Sequence, residues 1–375
     1  MWSKISNFFR QPPTERRLDI ILLLVTLLLI TIGTVMIYSS SSIIAMKRFN
    51  DGQYFLKKQI FFVLLGLGIM VLMTKIPFDK LKNLAYPGIL LSIVLLSLIL
   101  IPHVGIKAGG ATRWLKLGFF SFQVTEMVKV CMVLFLAFFL TRKHNNITDF
   151  KRGMLIPLLV TLLIVGLILL EPDFGTAFII TVIMMLMLYL SGCRITHLAA
   201  IVGLSIPFGI YFLLQKSYRV TRLLSFLDPW KDPQHSGFQI IQSLLSFGSG
   251  GTFGVGIGDG MQKLFYLPEP HTDFILSIIA EESGFIGVLI VIFLFVILIV
   301  RGFTISFKAP DLFSSLLAAG LTMVIALEAF INIAGVMGLI PLKGLALPFV
   351  SYGGTSLIMS LTAAGILLNI SSHET

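Results

Sequence analysis

Ten apolar stretches, each close to the length of a bilayer crossing, divide this 375-residue chain. They run at about 18–38, 54–74, 84–101, 123–140, 153–170, 174–190, 195–214, 274–300, 312–338 and 349–370. A hydrocarbon core about 30 Å thick is crossed by roughly 20 helical residues. The runs lack the period-two alternation of a membrane barrel, and in lipid each must satisfy its own backbone polar groups, so helices are the structure that fits. Composition closes the argument. Charged residues are 12% of the chain and hydrophobic ones 56%, whereas a soluble surface needs roughly 25% charge. The expectation is a single all-α, polytopic membrane domain over 1–375 with ten transmembrane helices. The first run is too long for a signal-peptide core and lacks a small-residue cleavage site, so it reads as a retained span.

An even number of spans puts both termini on one side. Lys4, Arg10, Arg16 and Arg17 before the first span point to the cytoplasm. Lys75, Lys80 and Lys82 after span 2 agree, as do Arg142, Lys143, Lys151 and Arg152 after span 4. The wider tally does not choose, because only 14 of the 28 Lys and Arg fall in the inner segments. Lys107, Arg113 and Lys116, with Lys216, Arg219, Arg222 and Lys231, lie on the disfavoured side. An anionic ligand there is one reason; a long loop exempt from the rule is another. The net charge of +10 therefore points to anionic lipid or a lipid-linked phosphate. It does not point to nucleic acid, since no basic run reaches five residues.

The longest break, 215–273 between spans 7 and 8, is rich in aromatics (Phe226, Trp230, Phe238, Phe247, Phe253, Phe265, Tyr266). Disordered segments are poor in them, so an ordered extracytoplasmic cap loop is expected.

Several constellations carry chemistry. His271-Thr272-Asp273 opens span 8: Thr272 and Asp273 suit a helix cap, and Asp273 equally suits a general base at the membrane surface. Glu281 and Glu282 lie roughly 12–13 Å deeper on the same helix and read as structural or conformational. Arg113-Trp114-Leu115-Lys116 follows Gly109-Gly110, a pattern for either a phosphate cradle or interfacial anchors. Glu126 and Lys129 are spaced to pair on one helix face. Glu171-Pro172-Asp173-Phe174-Gly175 is a tight turn between spans 5 and 6. Leu347 to Gly354 breaks the chain before span 10, which is tolerated at membrane depth only where it lines a cavity or packs within protein. Cys131 and Cys193 read as core residues. The six His have no ligand spacing, and no nucleotide-binding or nucleophile-elbow motif is present.

Taken in order along the chain, these segments resemble the SEDS family (FtsW, RodA and SpoVE). The pieces are Ala111-Thr-Arg113-Trp114, Phe122-Gln123, Glu171-Pro-Asp173-Phe-Gly-Thr-Ala177, Phe226-Leu-Asp228-Pro-Trp230, Gln242-Ser-Leu244, Gly248-Ser-Gly-Gly251 and Gln262-Lys263. Leu267-Pro-Glu269, His271-Thr-Asp273-Phe274, Ala280-Glu-Glu282 and Pro348-Phe-Val-Ser351-Tyr-Gly-Gly354 complete the set. Val35–Ser40 and Leu342–Phe349 look more like the division branch, FtsW, than the elongation branch; the sporulation branch is hard to separate from it. Two positions depart from the family pattern. Gln123-Val124-Thr125-Glu126 stands where Gln-Pro-Ser-Glu is usual, and Glu171 stands where Gln is usual.

The resemblance implies a peptidoglycan glycosyltransferase of the bacterial inner (plasma) membrane, at the division septum if FtsW-like. Such an enzyme polymerises lipid II against an undecaprenyl-pyrophosphate-linked glycan, beside a class B penicillin-binding protein transpeptidase and divisome membrane proteins. The family's essential aspartate falls on Asp273, the catalytic base of an inverting transfer. Substrate-binding expectations fall on Arg113, Trp114, Lys116, Glu126, Lys129, Asp173, Gln242, Lys263, Glu269, His271, Lys343 and Ser351. Pyrophosphate would be held by Arg113, Lys116 or Lys263. No cofactor and no metal-ligand set is implied with certainty, and a divalent cation (Mg or Mn) is compatible with the chemistry. The rival reading is a lipid II flippase, a carrier using Glu281, Glu282 and Glu328.

Overall fold

A computed structural model describes residues 18–108, 111–117, 120–214, 217–235, 237–263 and 270–373. Eight helices among them are long and apolar enough to cross a membrane. They are α1 (Ile20–Phe49), α2 (Tyr54–Met73), α3 (Phe78–Ile99), α4 (Val124–Arg142), α5 (Leu155–Leu170, extended at its start by a wider turn from Phe150), α10 (Ile275–Phe307), α11 (Leu312–Val336) and α12 (Gly354–Ser371). The expected spans 6 and 7 correspond to α6 (Phe174–Leu190), which is shorter, and α7 (Ile195–Leu214), whose stretch Ile195–Tyr211 is also a shorter apolar helix. The central members α4, α11 and α12 are largely buried. Outer faces leave large apolar side chains such as Leu64, Leu90, Leu162 and Phe293 exposed, as a lipid-facing surface requires.

Two helices outrun the apolar stretches that announce them. At 1.5 Å per residue, α1 is about 45 Å long, so it continues past the hydrocarbon thickness through Tyr38–Phe49. Asp19 caps its start by accepting from the Leu22 amide at 2.9 Å, and Arg301 of α10 pairs with the same carboxylate, Nε to Oδ2 2.9 Å. The helix α10 is two rods joined at Gly284, whose backbone (φ 67°, ψ −166°) is one that only glycine adopts without strain.

The break is matched by a partner segment. The amides of Phe285 and Ile286 donate to the carbonyls of Gly251 and Thr252. The carbonyls of Glu281 and Glu282 accept from Val255 and Gly256. Every backbone group the kink releases among these four is thus paired. A Cβ at 284 would sit 2.3 Å from the Gly254 nitrogen, so the contact itself requires glycine.

The expected helical, polytopic fold carries one small addition. Three strands, β1 (Gly105–Ala108), β2 (Ala111–Leu117) and β3 (Phe120–Gln123), pair into an antiparallel sheet in the order β1-β2-β3. Strands of four to seven residues leave no long apolar run, and a hairpin rich in Gly and cations reads as loop. Within the long break, the described residues 217–235 and 237–263 are built into helices and turns, as the aromatics among them suggest. The break holds α8 (Ser217–Leu227) and α9 (Phe238–Gly250), then the segment that enters beside α10. The helix α9 is stapled to α10 and α11 by Ser243, whose hydroxyl lies 2.8 Å from Ser277 Oγ and donates to the Val336 carbonyl at 2.6 Å.

Candidate functional site

Asp273 precedes the first turn of α10 and is partly exposed. The cap position belongs to Phe274, which makes no side-chain cap bond. The backbone around Asp273 is held from two directions. Asn332 of α11 donates from Nδ2 to the Asp273 carbonyl at 3.0 Å and to the Leu345 carbonyl at 2.6 Å. Ser351 donates to the Thr272 carbonyl at 2.6 Å while accepting from the Leu347 amide at 2.8 Å. The Tyr352 amide donates to the His271 carbonyl at 2.9 Å. The break before α12 therefore packs within protein and splints the residue that precedes α10. The Asp273 carboxylate lies against Gly344: a Cβ there would come 2.7 Å from Oδ2.

Lys343, next in sequence to Gly344, leads to a second group of charges. Its ammonium sits 4.4 Å from the Phe178 ring centroid, a cation–π distance. Burial pulls its pKa below the usual lysine value, opposed by the attraction of Asp173. Asp173 caps α6, accepting from the Thr176 amide at 3.2 Å and hydroxyl at 2.9 Å. Arg113 of β2 brings Nε within 3.2 Å of Asp173 Oδ2, without the alignment of a hydrogen bond. Glu171 is the fourth member. Burial, reinforced by Asp173 and opposed by Arg113, pushes its pKa up to about 8. The structure thus brings together Arg113, Asp173 and Lys343 from three separate segments, and sets the Asp273 carboxylate against Gly344, the residue next to Lys343.

Other expected residues lie elsewhere. Strand alternation sends Lys116 and Trp114 to the face opposite Arg113, with Lys116 exposed and Trp114 half-buried, so Arg113 and Lys116 do not form one cradle. Lys263 is buried and committed to Glu282 Oε1 at 2.7 Å, Ser39 Oγ at 3.2 Å and the Gly258 carbonyl. It is a latch for the segment beside α10, not a ligand for pyrophosphate. Glu281 serves the same segment, accepting from the Met261 amide at 2.7 Å, which agrees with a structural role for the Glu281–Glu282 pair. Lys129 bridges Glu126 at 2.8 Å and Glu328, tying α4 to α11 in the interior.

His271 is buried against Phe55 (centroids 4.5 Å apart) and Tyr352 (5.4 Å). Burial and the Arg48 charge hold its pKa down at about 4, so it is neutral at pH 7. Ser351 is spent on backbone, and Gln242 is half-buried within α9. Glu269 lies outside the described residues. Asn332 was not singled out from sequence, although a lone Asn inside a span is itself a signal.

Residues 19–375 match the family described as a cell cycle protein, FtsW/RodA/SpoVE. The chain is 44% identical to the probable peptidoglycan glycosyltransferase FtsW of Trichlorobacter lovleyi, over 98% of this chain and 96% of that one. It is 42% identical to stage V sporulation protein E of Bacillus subtilis, over 95% and 97%. Among solved structures it is similar to a chain of a peptidoglycan synthase complex that coordinates polymerization and crosslinking (TM-score 0.79, 30% identity, 94% and 97% covered). It is also similar to the rod shape determining protein RodA of Thermus thermophilus (TM-score 0.68, 27% identity, 94% and 96% covered). Matched from residue 19 to its last residue, the chain belongs to the FtsW/RodA/SpoVE family of cell cycle proteins.

Proposed function

We propose that Asp273 is the general base of a lipid II polymerase and that Arg113 and Lys343 receive the pyrophosphate of its donor. The chain is a multi-pass membrane peptidoglycan glycosyltransferase of the FtsW type. The observation that carries the site reading is that a splinted, partly exposed carboxylate lies against Gly344, the residue after Lys343. Asp273 takes the proton of the acceptor sugar's 4-hydroxyl as that oxygen attacks the anomeric carbon of the donor. The carbon–oxygen bond to pyrophosphate breaks, and the configuration inverts. Arg113 and Lys343 stabilise the charge that develops on the leaving phosphate oxygens. Pyrophosphate is a good leaving group, so a second carboxylic acid is not needed to cleave the bond.

The residues present do not make a resident metal site. Asp173 is committed to Arg113 and Thr176, and among the described residues no three His, Cys, Asp or Glu side chains converge. No step here runs through a metal. The carrier reading loses its residues: Glu282 and Glu328 are paired with Lys263 and Lys129, and Glu281 accepts from the Met261 and Gln262 amides. A class B penicillin-binding protein is the proposed crosslinking partner within the divisome. The bacterial inner membrane, with both termini cytoplasmic, is the proposed setting, and the septum its place of action.

Detergent-purified protein with its transpeptidase, having no membrane to carry lipid across, is expected to polymerise lipid II. Arg113→Ala should raise the apparent KM about tenfold or more, the scale of one charge-assisted hydrogen bond. Arg113→Lys should recover only part, because an ammonium does not grip phosphate bidentately. A wild-type KM in Arg113→Ala would remove Arg113 from the anion site.

Orientation has its own test. In a background without Cys131 and Cys193, cysteine placed at exposed His235 should react with a membrane-impermeant maleimide in intact spheroplasts, and cysteine at Asn145 should not. The reverse pattern would put Asp273 in the cytoplasm and remove the proposed base from flipped lipid II.

A further inference from the structure

Glu171 is the one member of the charged group with no partner of its own. It sits in the turn between α5 and α6, and its amide donates to the Ile168 carbonyl at 3.1 Å. The side chain is 1% exposed, and neither carboxyl oxygen has a hydrogen-bond partner. The same holds for Arg113 Nε, buried beside it without an aligned acceptor. Asp173 does not relieve either group, because its oxygens are occupied by Thr176 and by the salt link to Arg113. The charged groups acting on Glu171 are Asp173 and Arg113, with Lys343 acting on Asp173 from the segment before α12.

A buried carboxylate without hydrogen bonds is costly, and such a group keeps its proton instead. A protonated carboxyl is a donor. The turn therefore holds an acid hydroxyl without an acceptor, beside a guanidinium whose Nε meets Asp173 as an ion pair without hydrogen-bond alignment, and both can turn to an acceptor rich in lone pairs.

We propose that Glu171 acts as a neutral hydrogen-bond donor in the anion site, giving its carboxyl proton to a phosphate oxygen of the lipid-linked pyrophosphate that Arg113 and Lys343 attract. This rests on the reading of Arg113 and Lys343 given above and adds to it a binding group that is not a cation. Its neutrality matters, since an ionised Glu171 would place a second carboxylate next to Asp173 and repel the substrate. The sign follows from burial. Glu171 titrates near 8 rather than in the usual carboxylate range, so it donates at neutral pH and loses its proton on the alkaline side.

The test is the pH dependence of KM for lipid II, measured on the protein with its transpeptidase from about pH 6.5 to pH 9. At one unit above its pKa about nine-tenths of the group is ionised, so wild-type KM should rise about tenfold by pH 9. Glu171→Gln keeps an N–H donor that does not titrate, and its KM should stay flat over the same range. Glu171→Asp keeps the acid but shortens its reach, so it should show a higher KM with the alkaline rise retained. Arg113→Ala is the control. A raised KM there, with Glu171→Gln following the wild-type alkaline curve, overturns the role of Glu171 alone. A wild-type KM in Arg113→Ala overturns the anion site and this inference with it.

Discussion

Replacing Asp273 by Asn or Ala is expected to reduce lipid II polymerisation by 10²- to 10⁴-fold, the usual contribution of a general base. At 1.36 kcal/mol per decade this is about 3–5 kcal/mol of barrier. Asn is the sharper test because it keeps the volume and loses the proton acceptor. Folding should survive both changes, since the backbone carbonyls of His271, Thr272 and Asp273 hold this segment to Tyr352, Ser351 and Asn332 whichever side chain stands at 273. Initial rates on purified protein, with yield and gel-filtration profile beside them, separate the two effects. A well-folded Asp273→Asn enzyme retaining more than about a tenth of the wild-type rate would sink the assignment.

The second large effect is on stability. Lys129 is 2% exposed, and its ammonium lies between Glu126 and Glu328. Lys129→Ala would leave two carboxylates facing each other in the interior with no cation between α4 and α11. Breaking a buried pair by removing one partner costs about 3–5 kcal/mol. The expected result is a marked fall in thermal stability in detergent and poor membrane yield. Glu328→Gln should cost less, because the Lys129–Glu126 pair at 2.8 Å survives. A triple change, Lys129→Met with Glu126→Gln and Glu328→Gln, should recover much of the loss, since it leaves no unpaired charge. A melting temperature for Lys129→Ala equal to wild type would show that the triad carries no structural weight and would restore Lys129 to the list of substrate contacts.

How much of this was written locally in the chain varies by element. Long apolar runs announce the spans, because 20 residues without charge have one economical conformation in lipid. Asp273 was visible as an acid at a span mouth within a recognisable motif. The β1-β2-β3 sheet was not visible, since strands of four to seven residues carry little periodic signal. The fates of Lys263 and Ser351 were hidden for a different reason. Their partners, Ser39 and Thr272, are 224 and 79 residues away, and no local pattern encodes a contact at that range. Glu126 and Lys129 showed half of their answer, the i,i+3 pair. Glu328, which completes it, comes from 199 residues further on. Gly284 gave no hint of a joint, because a lone glycine in an apolar run is common and only the approach of Gly254 reveals its use.

That joint has a mechanical consequence. The upper rod of α10, from Ile275 to Ser283, is clamped to α9: Ser243 meets Ser277, and Gly250 lies so close to the Ala280 carbonyl that a Cβ there would be 1.9 Å away. The lower rod is anchored at its far end, where Arg301 grips Asp19 at the foot of α1. The two rods meet at Gly284, where one short segment is bonded to both: Val255 and Gly256 to the Glu281 and Glu282 carbonyls, Gly251 and Thr252 to the Phe285 and Ile286 amides. A load on α9 therefore reaches the short rod, with Asp273 at its tip, and passes through the same splint into the long rod, so the base is held in place by the covering segment and not by a continuous helix.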